Sequence, residues 1–269
     1  MAQNIQFGVL GTLRMTVDAT THTPRGPKLR KLLALLLLLA NQAVEVDTLV
    51  DELWAEDPPR WALSTVRTHI YHLRQLLHQH LGTAGEDIVV TQPSGYLLVL
   101  DHDQVDATRF TTLAQEGHRL LRQGRPAAAL ASAHAGLELW QGRALANVST
   151  GRLLTGHVQR LEELRIQALN VRIEATMSLG RHRELVPELR DLVARYPLNE
   201  WFHTCLIEAL RRSGRRGDAL GAFHQLRTTL DDELGIAPSA KLRDLQRSIL
   251  IEEGTGDATR HPDLAGFIQ

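Results

Sequence analysis

The sequence predicts a mainly α-helical chain, an N-terminal winged helix-turn-helix followed by a stack of tetratricopeptide-type helical hairpins. Three observations carry that prediction. The first is the element order over residues 5–98: strands, an apolar helix, a short helix, a long helix with a polar face, and a hairpin. The second is a change of texture at Val105, after which helical segments follow one another, several closed by Gly124, Gly180, Gly214 and Gly235. The third is a repeat, since GRPAAAL, GRHREL and GRRGDAL recur after a helix at similar spacing. The best match to the tetratricopeptide pattern runs from Leu206 through Ala209-Leu210, Gly214, Ala219-Leu220 and Phe223 to Pro238. Such a stack buries its own core and leaves a concave surface for partners; a plain helical bundle is the alternative.

Bulk properties narrow the function classes. A length of 269 residues allows one large domain or two ordinary ones, and 43% hydrophobic residues is a globular content. The net charge of −1 excludes a wholesale polycation, so any nucleic-acid surface must be a local concentration of charge. Cys205, the single cysteine, excludes an intramolecular disulfide and a zinc finger; its setting, WFHTCLIEAL, reads as an inert core thiol. Thirteen histidines include no H-E-x-x-H or clustered Cys/His ligand set, and no G-x-S-x-G elbow occurs. Neither an enzyme nor a metal or cofactor site is expected. The N-terminus lacks the order of a signal peptide and Leu32–Ala40 is too short to span a bilayer, so a cytoplasmic protein without a membrane partner is expected.

The elements follow in chain order. Ile5–Val17, broken by Gly8 and Gly11, suggests one or two strands. THTPRGPKLRK is a loop leading into a helix, and its Arg25, Lys28, Arg30 and Lys31 sit where the helix dipole disfavours cations, which suits a phosphate contact; an ordinary solvated loop is the alternative. LRKLLALLLLLANQ is apolar almost all round and belongs at the centre of its domain. A second helix begins at Asp47, turns Leu49, Val50, Leu53 and Trp54 inward, and stops at Glu56-Asp57-Pro58-Pro59. DIVVTQPSGYLLVL reads as a hairpin. Trp140–His157 is glycine-rich and aperiodic, a long loop between helical pairs. The expected domains are 1–103 and 104–253, with a mobile tail at 254–269.

Between the short helix and the hairpin lies Arg60–His80, RWALSTVRTHIYHLRQLLHQH, which has no Asp or Glu. Val66, Ile70, Leu73 and Leu77 recur at helical spacing and face a core. The opposite face presents Ser64, Thr68, Tyr71, His72 and Gln75, flanked by Arg67 and Arg74, with Arg60 and Thr65 at its start. Hydroxyl, amide and imidazole groups suit base edges, and arginines suit phosphate or guanine; on this helix alone, a plain solvated face is the alternative.

Within residues of about 5–250 stand, in order, GPKLRKLLALLLLLANQAVEVDTLVDELW, PPRWALSTVRTHIYHLRQLL, PSGYLLVLDHDQVDATRF and ALRRSGRRGDALGAFHQLRTTLDDELGIAPSAKLRDL. In that order they resemble the small, two-domain form of the Streptomyces antibiotic regulatory protein (SARP) family. The resemblance implies an OmpR-like winged helix-turn-helix of α/β type joined to an all-α bacterial transcriptional activation domain. It further implies a transcriptional activator of a secondary-metabolite cluster that binds direct repeats in double-stranded promoter DNA as side-by-side pairs and recruits RNA polymerase holoenzyme. By position, Arg67, Thr68, Tyr71 and His72 fall on the groove-reading helix, Lys28 and Arg30 near the DNA backbone, and Ser94 and Gly95 in the wing. One departure is Gln92, where many relatives carry a basic residue before Gly-Tyr. Larger relatives append an ATPase region, but no G-x-x-x-x-G-K-[ST] loop occurs here. The competing reading is an interaction adaptor whose winged domain contacts protein rather than DNA.

Overall fold

Pieces only three or four residues long form short strands, and the N-terminal segment builds three of them. In the computed structural model, which describes residues 5–55, 57–85 and 87–251, they are β1 (Ile5–Gly8), β2 (Arg14–Val17) and β3 (Thr20–His22), an antiparallel meander. The third exceeds the one or two expected. Asp18 and Ala19, at φ 46° and 70°, form a tight turn that folds Thr20–His22 back on β2. The tail expected to be mobile lies outside the described residues.

Pro27 opens α1 (Pro27–Leu38) at a position where a missing N–H costs nothing, and Leu32–Leu37 are buried without interruption. Next comes β4 (Ala43–Glu45), three residues that carry no readable alternation and were not anticipated. Helix α2 (Val46–Trp54) starts one residue before Asp47, and α3 (Ala62–Leu81) buries Val66, Ile70, Leu73 and Leu77 as the periodicity requires. A 3-10 turn over Gly82–Gly85 leads to β5 (Val89–Gln92) and β6 (Gly95–Leu98). The second sheet runs β4-β6-β5, with Gly95 opposite Glu45 on one side and Gln92 on the other. A Cβ on Gly95 would stand 1.9 Å from the Val44 carbonyl, so strand β4 requires glycine there.

Among the described residues seven helices follow: α4 (Asp106–Arg122), α5 (Pro126–Leu137), α6 (Arg152–Ser178), α7 (His182–Arg195), α8 (Glu200–Arg212), α9 (Arg216–Leu234) and α10 (Ala240–Ile251). The glycines expected to close helices, 124, 180, 214 and 235, have φ between 66° and 76°. The loop expected over Trp140–His157 instead ends at Gly151. Its last residues are helical because Glu52, a hundred residues upstream, satisfies the first N–H groups of α6.

The chain forms two compact units. The first joins residues up to Gln123 with Ala131–Leu169, and so extends past residue 103. The chain before α6 lines the β1–β2 turn, where Gln141 N–H donates to Leu10 O at 2.7 Å and Leu145 N–H to Val9 O at 2.9 Å. The Asn147 side chain accepts from Leu13 N–H (2.7 Å) and donates to its carbonyl (3.2 Å). Asp106, at the start of α4, accepts from Val9 and Leu10 N–H at 2.8 and 3.2 Å. Phe110 stacks edge-on against Trp140, centroids 5.3 Å apart.

The second unit holds Gly124–Leu130 and the chain from Asn170 onward. Asn199 caps α8 through the N–H groups of Trp201 and Phe202. Glu208, buried on α8, is paired with both Arg211 and Arg212. Burial pushes the Cys205 thiol well up, and the carboxylates of Glu174 and Glu208 push it further, which leaves it unreactive.

Candidate nucleic-acid interface

Helix α3 owes its orientation to its apolar stripe. With Val66, Ile70, Leu73 and Leu77 held in the core, rotation at 100° per residue leaves Ser64, Arg67, Thr68, Tyr71, His72 and Gln75 exposed. Thr65 is half-buried beside them. The hydroxyls of Ser64 and Thr65 donate to Trp61 O, and that of Thr68 to Ser64 O. Each hydroxyl spends its proton on the helix backbone and retains acceptor capacity. Tyr71, 58% exposed, lies 5.9 Å from the His72 ring. On the half-buried flank His69 is held below the usual imidazole range, first by burial and then by His72 and Lys28.

The cations divide into two groups. Arg60 and Arg67 are exposed, as is Arg25, and none of their side chains makes a hydrogen bond or ion pair among the described residues. The other group is engaged inside the domain. Arg74 donates from Nε and Nη2 to Val89 O, at 3.2 and 2.9 Å, and from Nη2 to the Thr91 hydroxyl at 2.8 Å. It therefore ties α3 to strand β5 of the wing. Arg30 donates to Asn147 O at 3.1 Å and Pro24 O at 3.4 Å, and Lys31 donates to Glu52 O at 3.1 Å. The Lys28 ammonium sits 4.0 Å over the Trp54 ring.

In the wing, Ser94 is exposed at the hairpin tip and its carbonyl accepts from Val46 N–H at 3.0 Å. Gly95 is buried between β4 and β5, so it shapes the wing and presents no side chain. Two residues that sequence reasoning passed over stand at the start of α3: Trp61, 66% exposed, and Leu63, 50% exposed. Large apolar groups on a helix's solvent side were the available signal. Among the described residues no cluster of three or more His, Cys, Asp or Glu could hold a metal. Nor is any helix among them long and apolar enough to cross a membrane.

Comparison with known proteins bears on this surface. Residues 21–98 match the family model described as "Transcriptional regulatory protein, C terminal", and residues 105–250 match "Bacterial transcriptional activator domain". The regulatory protein DnrI of Streptomyces peucetius is 41% identical over 91% of this chain and 92% of its own length. The transcriptional regulator RedD of Streptomyces coelicolor is 36% identical over 93% of this chain and 71% of its own. The solved structure of Mycobacterium tuberculosis EmbR in complex with a low-affinity phosphopeptide superposes with a TM-score of 0.86 at 33% identity, covering 94% of this chain and 66% of that one. A winged helix-turn-helix followed by an all-α activation domain, matched along nearly its whole length, places this chain in the SARP family of transcriptional activators.

Proposed function

We propose that this protein is a cytoplasmic, sequence-specific activator of a secondary-metabolite biosynthetic cluster that binds direct repeats near its promoters as side-by-side pairs. The observation that carries this reading is the outer face of α3, a strip of hydroxyl, phenol, imidazole, amide and guanidinium groups free of carboxylates. On a chain of net charge −1, that is a local surface fit for a major groove. In this reading Ser64, Thr68, Tyr71, His72 and Gln75 meet base edges, while Arg60 and Arg67 meet phosphates or guanine. The wing tip at Ser94 lies along the backbone, and Lys28 takes a supporting place beside α3. The helical region adds a contact to RNA polymerase holoenzyme, for which about 1.4 kcal/mol changes an equilibrium tenfold.

The test is a footprint on the promoters nearest the gene, with affinity measured across a salt series. Protection of two spaced repeats and a steep fall in affinity with salt are expected, because counterions leave the DNA on binding. A salt-independent affinity would instead favour the adaptor reading.

A further inference from the structure

A buried carboxylate on the first helix of the helix-turn-helix has no part in the surface described above. Glu52 lies on α2 among the inward residues Leu49, Val50 and Leu53, and is only 3% exposed. Its Oε1 accepts from Gly151 N–H at 2.6 Å, and its Oε2 from Leu153 and Leu154 N–H at 2.9 and 3.5 Å. These are the unsatisfied donors at the N-terminus of α6, where the helix dipole favours a negative charge. Gly151 has no side chain with which to cap that helix, and a Cβ there would lie 2.7 Å from the Glu52 Cδ, Oε1 and carbonyl oxygen. Glu52 is thus the cap of a helix that starts a hundred residues away, and Gly151 is the opening that admits it. On its other side the Glu52 carbonyl accepts from Lys31 Nζ, which fixes α1 to the same point.

Burying a carboxylate is costly unless it is fully bonded, and an apolar residue of similar volume often serves stability as well or better. An apolar contact is also non-directional, whereas three N–H donors converging on two oxygens fix position and angle. We propose that Glu52 is a positioning residue for DNA recognition: by capping α6 it sets the pitch of α2, and through the packing of α2 on α3 the pose of the reading helix. Helices α2 and α3 pack directly on each other, with Leu49, Leu53, Val66 and Ile70 in one shared core. A shift of α2 therefore moves the start of the reading helix.

This inference rests on the proposed DNA-binding reading, and its test separates the two. A duplex is first selected from random sequence with the full-length wild-type protein, and affinities for it and for a scrambled copy are then compared. The variants are Glu52→Gln, Gly151→Ala, their double mutant, and Asn147→Ala as a stability control that leaves α2 untouched. All are measured at temperatures where circular dichroism shows each to be folded. Glu52→Gln and Gly151→Ala should each lower the specific-to-scrambled ratio about tenfold, and the double mutant should add little to either, as coupled neighbours do. Asn147→Ala should lower Tm and leave the ratio alone. Unchanged ratios in both single variants, with the wild type discriminating normally, would overturn the positioning role and leave Glu52 a structural cap. A wild type that does not discriminate would remove the DNA-binding reading and this proposal with it.

Discussion

Removing the Asp106 carboxylate should destabilise the first unit by a predictable amount and with a predictable pH dependence. Its two oxygens accept from the backbone N–H groups of Val9 and Leu10, residues with no exposure at all. Asp106→Ala orphans both donors, and a buried unsatisfied donor costs about 1–3 kcal/mol. Two of them total roughly 2–6 kcal/mol, and relief of the buried charge places the expected loss in the lower part, at about 2–4 kcal/mol. The pH dependence follows from the carboxyl's own position. Burial pushes its pKa above the usual range, outweighing the Val9 and Leu10 N–H groups, Arg14 and the Ala107 N–H, which pull it down. The folded state therefore takes the proton before the unfolded chain does. Between the ordinary carboxylate pKa and the raised folded value, acidification stabilises the fold; above the folded value that contribution is lost. Urea unfolding of the wild type and Asp106→Asn across this window should show the gap between them widening as pH falls. A constant or narrowing gap, or an Asp106→Ala variant within about 0.5 kcal/mol of wild type, would refute the reasoning. The same account bears on a fragment ending at Asp103, expected from sequence to fold alone. It lacks Asp106, Asn147 and the chain that covers Val9, Leu10 and Leu13, so it should unfold cooperatively but several kcal/mol less stable, at roughly 1.5–3 kcal/mol per uncovered side chain.

Gly95→Ala should disrupt the β4–β6 pairing, since its methyl would meet the Val44 carbonyl at 1.9 Å; a loss of at least about 1–3 kcal/mol in thermal unfolding is expected, against no measurable change for Ser94→Ala. Arg67→Ala should reduce the slope of log affinity against log salt by about 1 if Arg67 neutralises a phosphate, whereas Arg74→Ala, committed to Val89 and Thr91, should weaken binding at unchanged slope. Equal slopes for the two variants would show that the division of cations is wrong. Glu208 should behave opposite to Asp106: burial pushes its carboxyl up, but Arg211 and Arg212 together hold it below the usual range. Its stabilisation is present above the unfolded pKa and lost as pH falls through the folded one, so Glu208→Gln should flatten that part of the acid unfolding curve.

What was legible in the sequence was periodic. The stripe of Val66, Ile70, Leu73 and Leu77 fixed both the burial and the outward face of α3, because a 20-residue helix repeats its signal several times. Glycines after helices were equally readable, since a left-handed residue at a helix end favours glycine. Strand β4 was not readable: three residues cannot display an alternation, and it exists because β6 offers it an unpaired edge. The start of α6 was hidden for the opposite reason. Its cap lies on another helix, and Gly151 itself offers no side chain to signal one.

The cations mark where composition stops being informative. Arg60, Arg67 and Arg74 look alike in an acid-free stretch, yet Arg74 alone sits where its guanidinium reaches the β5 edge. Its fork satisfies the Val89 carbonyl and the Thr91 hydroxyl, a role set by a strand fifteen residues away in sequence. Lys28, Arg30 and Lys31 likewise fall near the start of α1, where cations are unfavourable to the dipole. A phosphate was one explanation for their placement; the Trp54 ring and the carbonyls of Asn147 and Glu52 supply another within the domain itself. A cation on a surface helix thus has two ways to offset its position, an external anion or an internal acceptor, and only the fold distinguishes them. For Arg67 the first remains open, since its side chain is exposed and makes no internal bond among the described residues.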